Sequence, residues 1–162
     1  MPRIQLADKN LPAFLDMIAV SELGSVVLAE SDDGYDVIVG SLPGHVVTFE
    51  SYADHPRKLV EVQPGLVSSA AGRYQILAKY FTAYKLQLGL PDFGPVSQDM
   101  IAIQMIKECG AMALISAGRF ARAVTKCNSR WASLPGAGYL QPEKKLPELQ
   151  AAYCLAGGEV TA

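Results

Sequence analysis

Leu11, Phe14, Leu15 and Ile18 recur three and four residues apart, the spacing of one face of an α-helix. Asn10 stands before them as a candidate N-cap, and Pro12 falls in the first turn, where its missing N–H costs nothing. The pattern predicts a helix over residues 11–21 or beyond, with Asp16 pointing away from the stripe and Glu22 on it, four residues after Ile18. From residue 23 to 67 the period changes. Asp32-Asp33-Gly34 and Pro43-Gly44 read as turns, residues 35–39 and 45–49 as strands, and Pro64-Gly65 closes the region. Helical spacing then returns. Ser69 is positioned to cap a helix over 72–88, with Leu77, Phe81, Tyr84 and Leu88 inside and Gly89 as its stop. Further helices are predicted over 95–110, 111–117 and 119–131, with a last one between 143 and 155. In the 119–131 segment Phe120, Val124, Cys127 and Trp131 form an inner stripe, and Arg119, Arg122, Lys126 and Arg130 a basic one. Helix, small β region, then many helices is the order of a segregated α+β domain, with a cleft expected between its helical and β-containing lobes.

Composition narrows the classes. The chain has 162 residues, 50% of them hydrophobic and 19% charged, which excludes a mainly disordered protein and suits one domain over residues 1–162. Its 14 basic and 16 acidic residues give a net charge of −2, unlike a dedicated nucleic-acid binder. The longest run free of Asp, Glu, Lys and Arg is 37–49, broken by Pro43-Gly44, so no bilayer-spanning segment and no membrane insertion is expected. Residues 1–10 lack the apolar core of a secretory signal. Cys109, Cys127 and Cys154 are odd in number and lack C-x-x-C spacing; they read as small buried apolar residues rather than a disulfide framework.

The chemistry-bearing candidates are few. A carboxyl on an apolar stripe near a helix end is poorly solvated, which raises its pKa and keeps a transferable proton near neutrality, so Glu22 is a candidate general acid; if the helix stops one residue earlier, it is simply exposed. Asp36 and Asp54 are the other carboxylates of the β region, candidates for a nucleophile or base or else plain turn residues. His45 and His55, with Cys154 or an aspartate, lack the short spacings of a zinc site, and no metal or other cofactor is expected. Gly72-Arg73-Tyr74-Gln75 and residues 131–139, Gly-rich and bounded by Trp131 and Tyr139, suit sugar stacking or are turns between packed helices. The basic stripe is a solvated face or a contact for an anionic polymer.

Several blocks together resemble the lambda- and P2-type phage endolysins: 13–17, Ser21-Glu22, 34–39, 52–58, 71–75, 91–95, 97–99, Gly110-Ala111 and 131–139, in the family's order and spread over nearly the whole chain. The resemblance implies a lysozyme-like α+β fold and a lytic transglycosylase that cuts the β-1,4 bond between N-acetylmuramic acid and N-acetylglucosamine in peptidoglycan. Its catalytic glutamate matches Glu22, and Tyr35, Asp36, Tyr52, Tyr74, Gln75, Gln98 and Tyr139 match candidate substrate-binding positions. It implies a monomer made in the host cytoplasm that reaches the wall after a holin has opened the membrane; a direct contact with the holin is not implied. The chain departs from the family pattern at Leu23, where Gly is usual, at Leu140, and over 25–33 and 40–49. A hydrolytic muramidase, a zinc amidase and a non-catalytic wall-binding module are the competing readings.

Overall fold

The computed structural model describes residues 1–138 and 142–161. Among them run six helices and one two-stranded sheet: α1 (Asn10–Ala29), β1 (Val60–Gln63), β2 (Leu66–Ser68), α2 (Ala78–Leu88), α3 (Pro95–Glu108), α4 (Met112–Ser116), α5 (Phe120–Cys127) and α6 (Leu146–Leu155). The small sheet and the many helices are the α+β arrangement expected. The chain divides into two compact units, one made of Met1–Glu22 with Ala102–Ala162, the other of Leu23–Ile101.

The first unit is built on the N-terminal part of α1. Asp8, not Asn10, caps this helix: its Oδ1 accepts the amide N–H groups of Asn10 at 2.6 Å and Leu11 at 3.1 Å. Asn10 is drawn into tertiary bonds instead, donating to the Ile115 carbonyl at 3.1 Å and accepting the Glu159 N–H at 2.9 Å. Phe14, Leu15, Met17, Ile18, Ala13 and Ala19 are all fully buried, so the helix is enclosed on every side rather than along one stripe. Asp16 is therefore buried too, and its carboxylate meets the N-terminal ammonium at 3.1 Å. The ring of Phe14 lies against Phe120 of α5 and Tyr153 of α6, with centroids 6.2 and 6.4 Å apart.

By length and composition α1 is also long and apolar enough to cross a bilayer, with a mean hydropathy of 1.7. Counting charge-free runs hides this, because Asp16 and Glu22 interrupt the run. Here more than half of that apolar window is buried in the protein.

In α5 the inner stripe holds: Phe120, Val124 and Cys127 are buried, and so is Trp131 just beyond the helix end. Arg119, Arg122, Lys126 and Arg130 are exposed, with Arg130 paired to Glu108 at 3.1 Å. Of the cysteines, Cys127 is buried, Cys109 half-buried and Cys154 exposed, because α6 turns Cys154 away from buried Leu149 and Tyr153.

The second unit carries the hairpin of β1 and β2, turned by Pro64-Gly65 and paired antiparallel with a register shift between Glu61 and Gln63. The strands predicted over 35–39 and 45–49 reduce to isolated pairings, Val37 with Thr48 and Ile38 with Ala71. Ser41 interrupts them: its hydroxyl donates to the Ile38 carbonyl at 2.8 Å and accepts the Val47 N–H at 3.0 Å. Helix α2 starts at Ala78, six residues later than predicted. Gly72 (φ 77°) and Gln75 (φ 48°) hold left-handed backbone that no helix continues through. Ser69 still meets the helix start, accepting the Ala78 N–H at 3.2 Å, and Gly89 (φ 64°) ends it. Phe81, Phe93 and the His55 ring pack together, with centroids 4.6 to 5.8 Å apart.

Candidate active site

Glu22 sits on α1 two residues before Gly24, where the backbone leaves helical geometry (φ 78°, ψ 153°). The carboxyl end of a helix carries partial negative charge, an unfavourable place for a carboxylate. The side chain is half-buried, neither on the outer surface nor sealed in. Burial pushes its carboxyl up to about 7 from 4.5, against hydrogen bonds from the Ser133 hydroxyl and backbone, which favour the charged form. The Ser133 hydroxyl donates to Glu22 Oε1 at 2.5 Å, and the buried Ser21 hydroxyl lies 2.7 Å from Ser133 Oγ.

The segment that presents Ser133 is pinned on both sides. Trp131 and Leu134 are buried, and the Leu134 N–H closes a turn on the Trp131 carbonyl at 3.2 Å. The Lys144 N–H donates to the Ser133 carbonyl at 2.8 Å. At the end of α5, the Asn128 amide donates to the carbonyls of Pro135 and Gly136 at 3.2 and 3.1 Å. The Glu143 carboxylate accepts the N–H groups of Gly136 and Gly138 at 2.8 and 2.9 Å, which holds its pKa below the usual range. Trp131 thus serves as an anchor. A protonated carboxyl held this way can give a proton to a leaving oxygen, and the hydroxyl and amide of Ser133 then stabilise the carboxylate left behind.

Three of the sequence candidates are interior. Tyr35, Tyr74 and Gln98 are 0% exposed. The two phenols donate to Asp99 Oδ1 at 2.8 and 2.6 Å. The Gln98 amide donates to the carbonyls of Tyr35 (2.9 Å) and Phe93 (2.8 Å) and accepts the Arg73 N–H at 2.9 Å. Arg73, also buried, meets Asp33 at 2.6 Å and stacks its guanidinium 5.3 Å from the Tyr35 ring. These groups shape the second unit from within rather than offering themselves to a solute. A Cβ on Gly72 would stand 2.2 Å from Gln98 Oε1, so the 72–75 segment is a close-packed turn and not the start of a helix.

Asp36, Tyr52 and Gln75 are half-buried and each is tied locally. Asp36 accepts the Asp32 N–H at 3.0 Å, Tyr52 donates to Asp32 Oδ2 at 2.6 Å, and the Gln75 amide donates to the Gly72 carbonyl at 2.9 Å. Tyr139 lies outside the described residues. Asp54 is exposed and paired with Arg57 at 3.2 Å. His45 is exposed; His55 is buried, its Nε2 2.9 Å from the Ile76 carbonyl and its Nδ1 accepting the Arg57 N–H at 2.9 Å. Among the described residues no group of three or more His, Cys, Asp or Glu could hold a metal ion. Sequence reasoning missed Ser133: its link to Glu22 spans 111 residues, and no local period reports it.

Comparison with known proteins agrees across the length of the chain. An endolysin family model matches residues 12–160. The endolysin of Escherichia phage lambda is 50% identical over 149 residues, covering 91% of each chain. That of Escherichia phage P2 is 47% identical over 155 residues, covering 93% of this chain and 94% of its own. Lambda lysozyme in complex with a chitohexasaccharide has the same fold with a TM-score of 0.88, at 46% identity over 98% of this chain and 100% of that one. A second lambda lysozyme structure matches with a TM-score of 0.84.

Proposed function

The chain belongs to the endolysin family of lysozyme-like phage enzymes that act on the host cell wall, and on that premise we propose that it is a lytic transglycosylase with Glu22 as its acid and base. Its substrate is the glycan strand of peptidoglycan, cut at the β-1,4 bond between N-acetylmuramic acid and N-acetylglucosamine. The sugar bound by lambda lysozyme, a chitohexasaccharide, supports a glycan substrate here. The observation that carries the reading is a single half-buried carboxyl, pushed up to about 7, with hydroxyl and amide donors ready for its anion.

The reaction proceeds in two proton transfers on that one group. Glu22 protonates the glycosidic oxygen as its bond to the muramyl C1 breaks, and the N-acetylglucosamine leaves with a free 4-hydroxyl. Glu22, now a carboxylate, accepts the proton of the muramyl 6-hydroxyl while O6 bonds to C1. A 1,6-anhydro ring forms, no water is consumed, and Glu22 ends protonated as it began. The internal nucleophile brings a high effective concentration, so no second carboxylate need activate water. Asp36, bonded into the Asp32 turn, is not required as a base.

Mass spectrometry of the released muropeptides tests the reaction. Anhydro ends, one water lighter than the hydrolysed ones, are the expected product; reducing ends assign a muramidase. Glu22→Gln is expected to fold and to lose clearing of sacculi. We further propose a monomer made in the host cytoplasm that meets the wall from the periplasm once a holin has opened the inner membrane; direct contact between the two proteins is not part of the reading.

A further inference from the structure

We propose that Ser133 is a positioning residue for Glu22: its hydroxyl holds Oε1 as an acceptor and so leaves the transferable proton on Oε2, with Ser21 donating in turn to Ser133. The inference rests on Glu22 being the acid of the preceding reading. It starts from a count of protons. A serine hydroxyl has one proton to donate. Ser133 spends its proton on Glu22 Oε1 at 2.5 Å, so across the 2.7 Å contact Ser21 must donate and Ser133 accept. With Oε1 accepting, the acidic proton of a neutral Glu22 belongs on Oε2.

The same bond acts unequally along the reaction. A hydroxyl bonded to a carboxylate is held about twice as strongly as one bonded to a neutral carboxyl. As the proton leaves Oε2, negative charge develops on a group that Ser133 already faces, without any rearrangement. A contact that strengthens as charge forms lowers the barrier instead of merely binding the ground state. The geometry is prepared in advance: buried Trp131 and Leu134 flank Ser133, and the Lys144 N–H holds its carbonyl at 2.8 Å. Among the described residues, the groups that act on Glu22 are the surrounding protein and the hydroxyl and backbone of Ser133, from the segment after α5, with no charged side chain among them. On α1 the adjacent Ser21 meets Ser133 Oγ at 2.7 Å, and Asp16 is turned to the N-terminal ammonium.

The test compares full-length wild type, Ser133→Ala, Glu22→Gln and the isosteric pair Ser133→Thr and Ser133→Val, by kcat and KM on soluble glycan strands from pH 5 to 9. Ser133→Ala is expected to lose about ten- to hundred-fold in kcat with KM unchanged, the scale of one charge-assisted hydrogen bond. Its alkaline limb moves to higher pH, because the carboxylate has lost a donor. Ser133→Thr keeps the hydroxyl and recovers both properties relative to Ser133→Val, which repeats the comparison at constant shape. The proposal is overturned if loss of the hydroxyl in either comparison leaves the pH limb in place, whether or not kcat falls, since a packing role alone lowers kcat without moving a titration. If Glu22→Gln clears sacculi at the wild-type rate, the functional reading itself fails. If Glu22→Gln is inactive and the Ser133 variants titrate as wild type, only the role of Ser133 is lost.

Discussion

With its carboxyl pushed up to about 7, Glu22 binds a proton more tightly in the folded chain than in the unfolded one, where the ordinary value is 4.5. Between those two values the native state holds the extra proton, so stability falls as pH rises through the window. By pH 8 the group is charged in both states and the cost is complete, on the order of 3 kcal/mol. Urea unfolding of Glu22→Gln should therefore show a more stable protein than wild type at pH 8, with the gain vanishing near pH 4; equal stability at pH 8 would mean that burial does not penalise the charge. On the proposed role of Glu22, the activity of the wild type should follow the same titration from the other side. An acid must hold its proton to give it, so kcat/KM should decline above about pH 7. His55 works in the opposite sense. Burial, first among its causes, lowers its pKa from 6.5, so the folded chain resists protonation and loses stability as pH falls below that value. Glu22 is legible in the sequence because the helical period carries its environment four residues on from Ile18. Ser133 is not, since the fact that matters about it is where the chain has travelled after 111 further residues.

The elements differ in how much local pattern governs them. Helices α3 and α5 follow their apolar spacing, with Gly110 (φ 69°) just beyond the end of α3. Helix α1 shows where the pattern misleads: its N-terminal part, residues 13–19, is buried on every side and has no polar face, and the apparent stripe is the part of a wider apolar surface that the period happens to mark. The predicted strands failed for a different reason, because alternation cannot foresee a serine hydroxyl taking the backbone groups that pairing requires. The turn at Gly72 looks like a helix start in the sequence because its cause lies 26 residues away, in Gln98. Gly72→Ala should destabilise the protein by about 1–3 kcal/mol, through both its positive φ and the clash with Gln98, visible as a lowered urea midpoint. Around Asp99, burial first and Asp99 second keep the Tyr74 phenol protonated well above its usual range, so it remains a donor. Asp99→Ala strands two buried phenols and should cost about 2–5 kcal/mol. Tyr35→Phe and Tyr74→Phe should lower stability while leaving KM for glycan strands unchanged; a raised KM would restore these residues to the substrate-binding set.

At the scale of the whole molecule, the second unit is one continuous stretch, Leu23–Ile101, whereas the first closes the chain's beginning on its end. The closure is physical. The Glu159 N–H bonds to Asn10 Oδ1 at 2.9 Å, the Thr161 N–H to the Gly118 carbonyl at 3.0 Å, and the Thr161 hydroxyl to the Ala117 carbonyl at 2.6 Å. Lys9 and Glu159 form an ion pair beside them. Gly158 passes so near Tyr153 that a Cβ would stand 2.4 Å from its ring. Removing residues 157–162 should therefore lower stability by about 3 kcal/mol, near 1 kcal/mol for each of three lost bonds, with a matching fall in Tm; an unchanged Tm would show that the tail does not support the unit. The class of fold was legible in the order of apolar periods and turn signals. Its division was not, because nothing local tells residue 14 that it will rest against residues 120 and 153.

That closure also sets an order of events. Glu22 stands 111 residues ahead of Ser133 in the chain, so the carboxyl is synthesised well before the hydroxyl that meets it. Phe120 and Tyr153, which pack on the ring of Phe14, also lie far downstream of that helix. Any fragment that stops short of residue 133 carries the carboxyl without the hydrogen bond that Ser133 gives it.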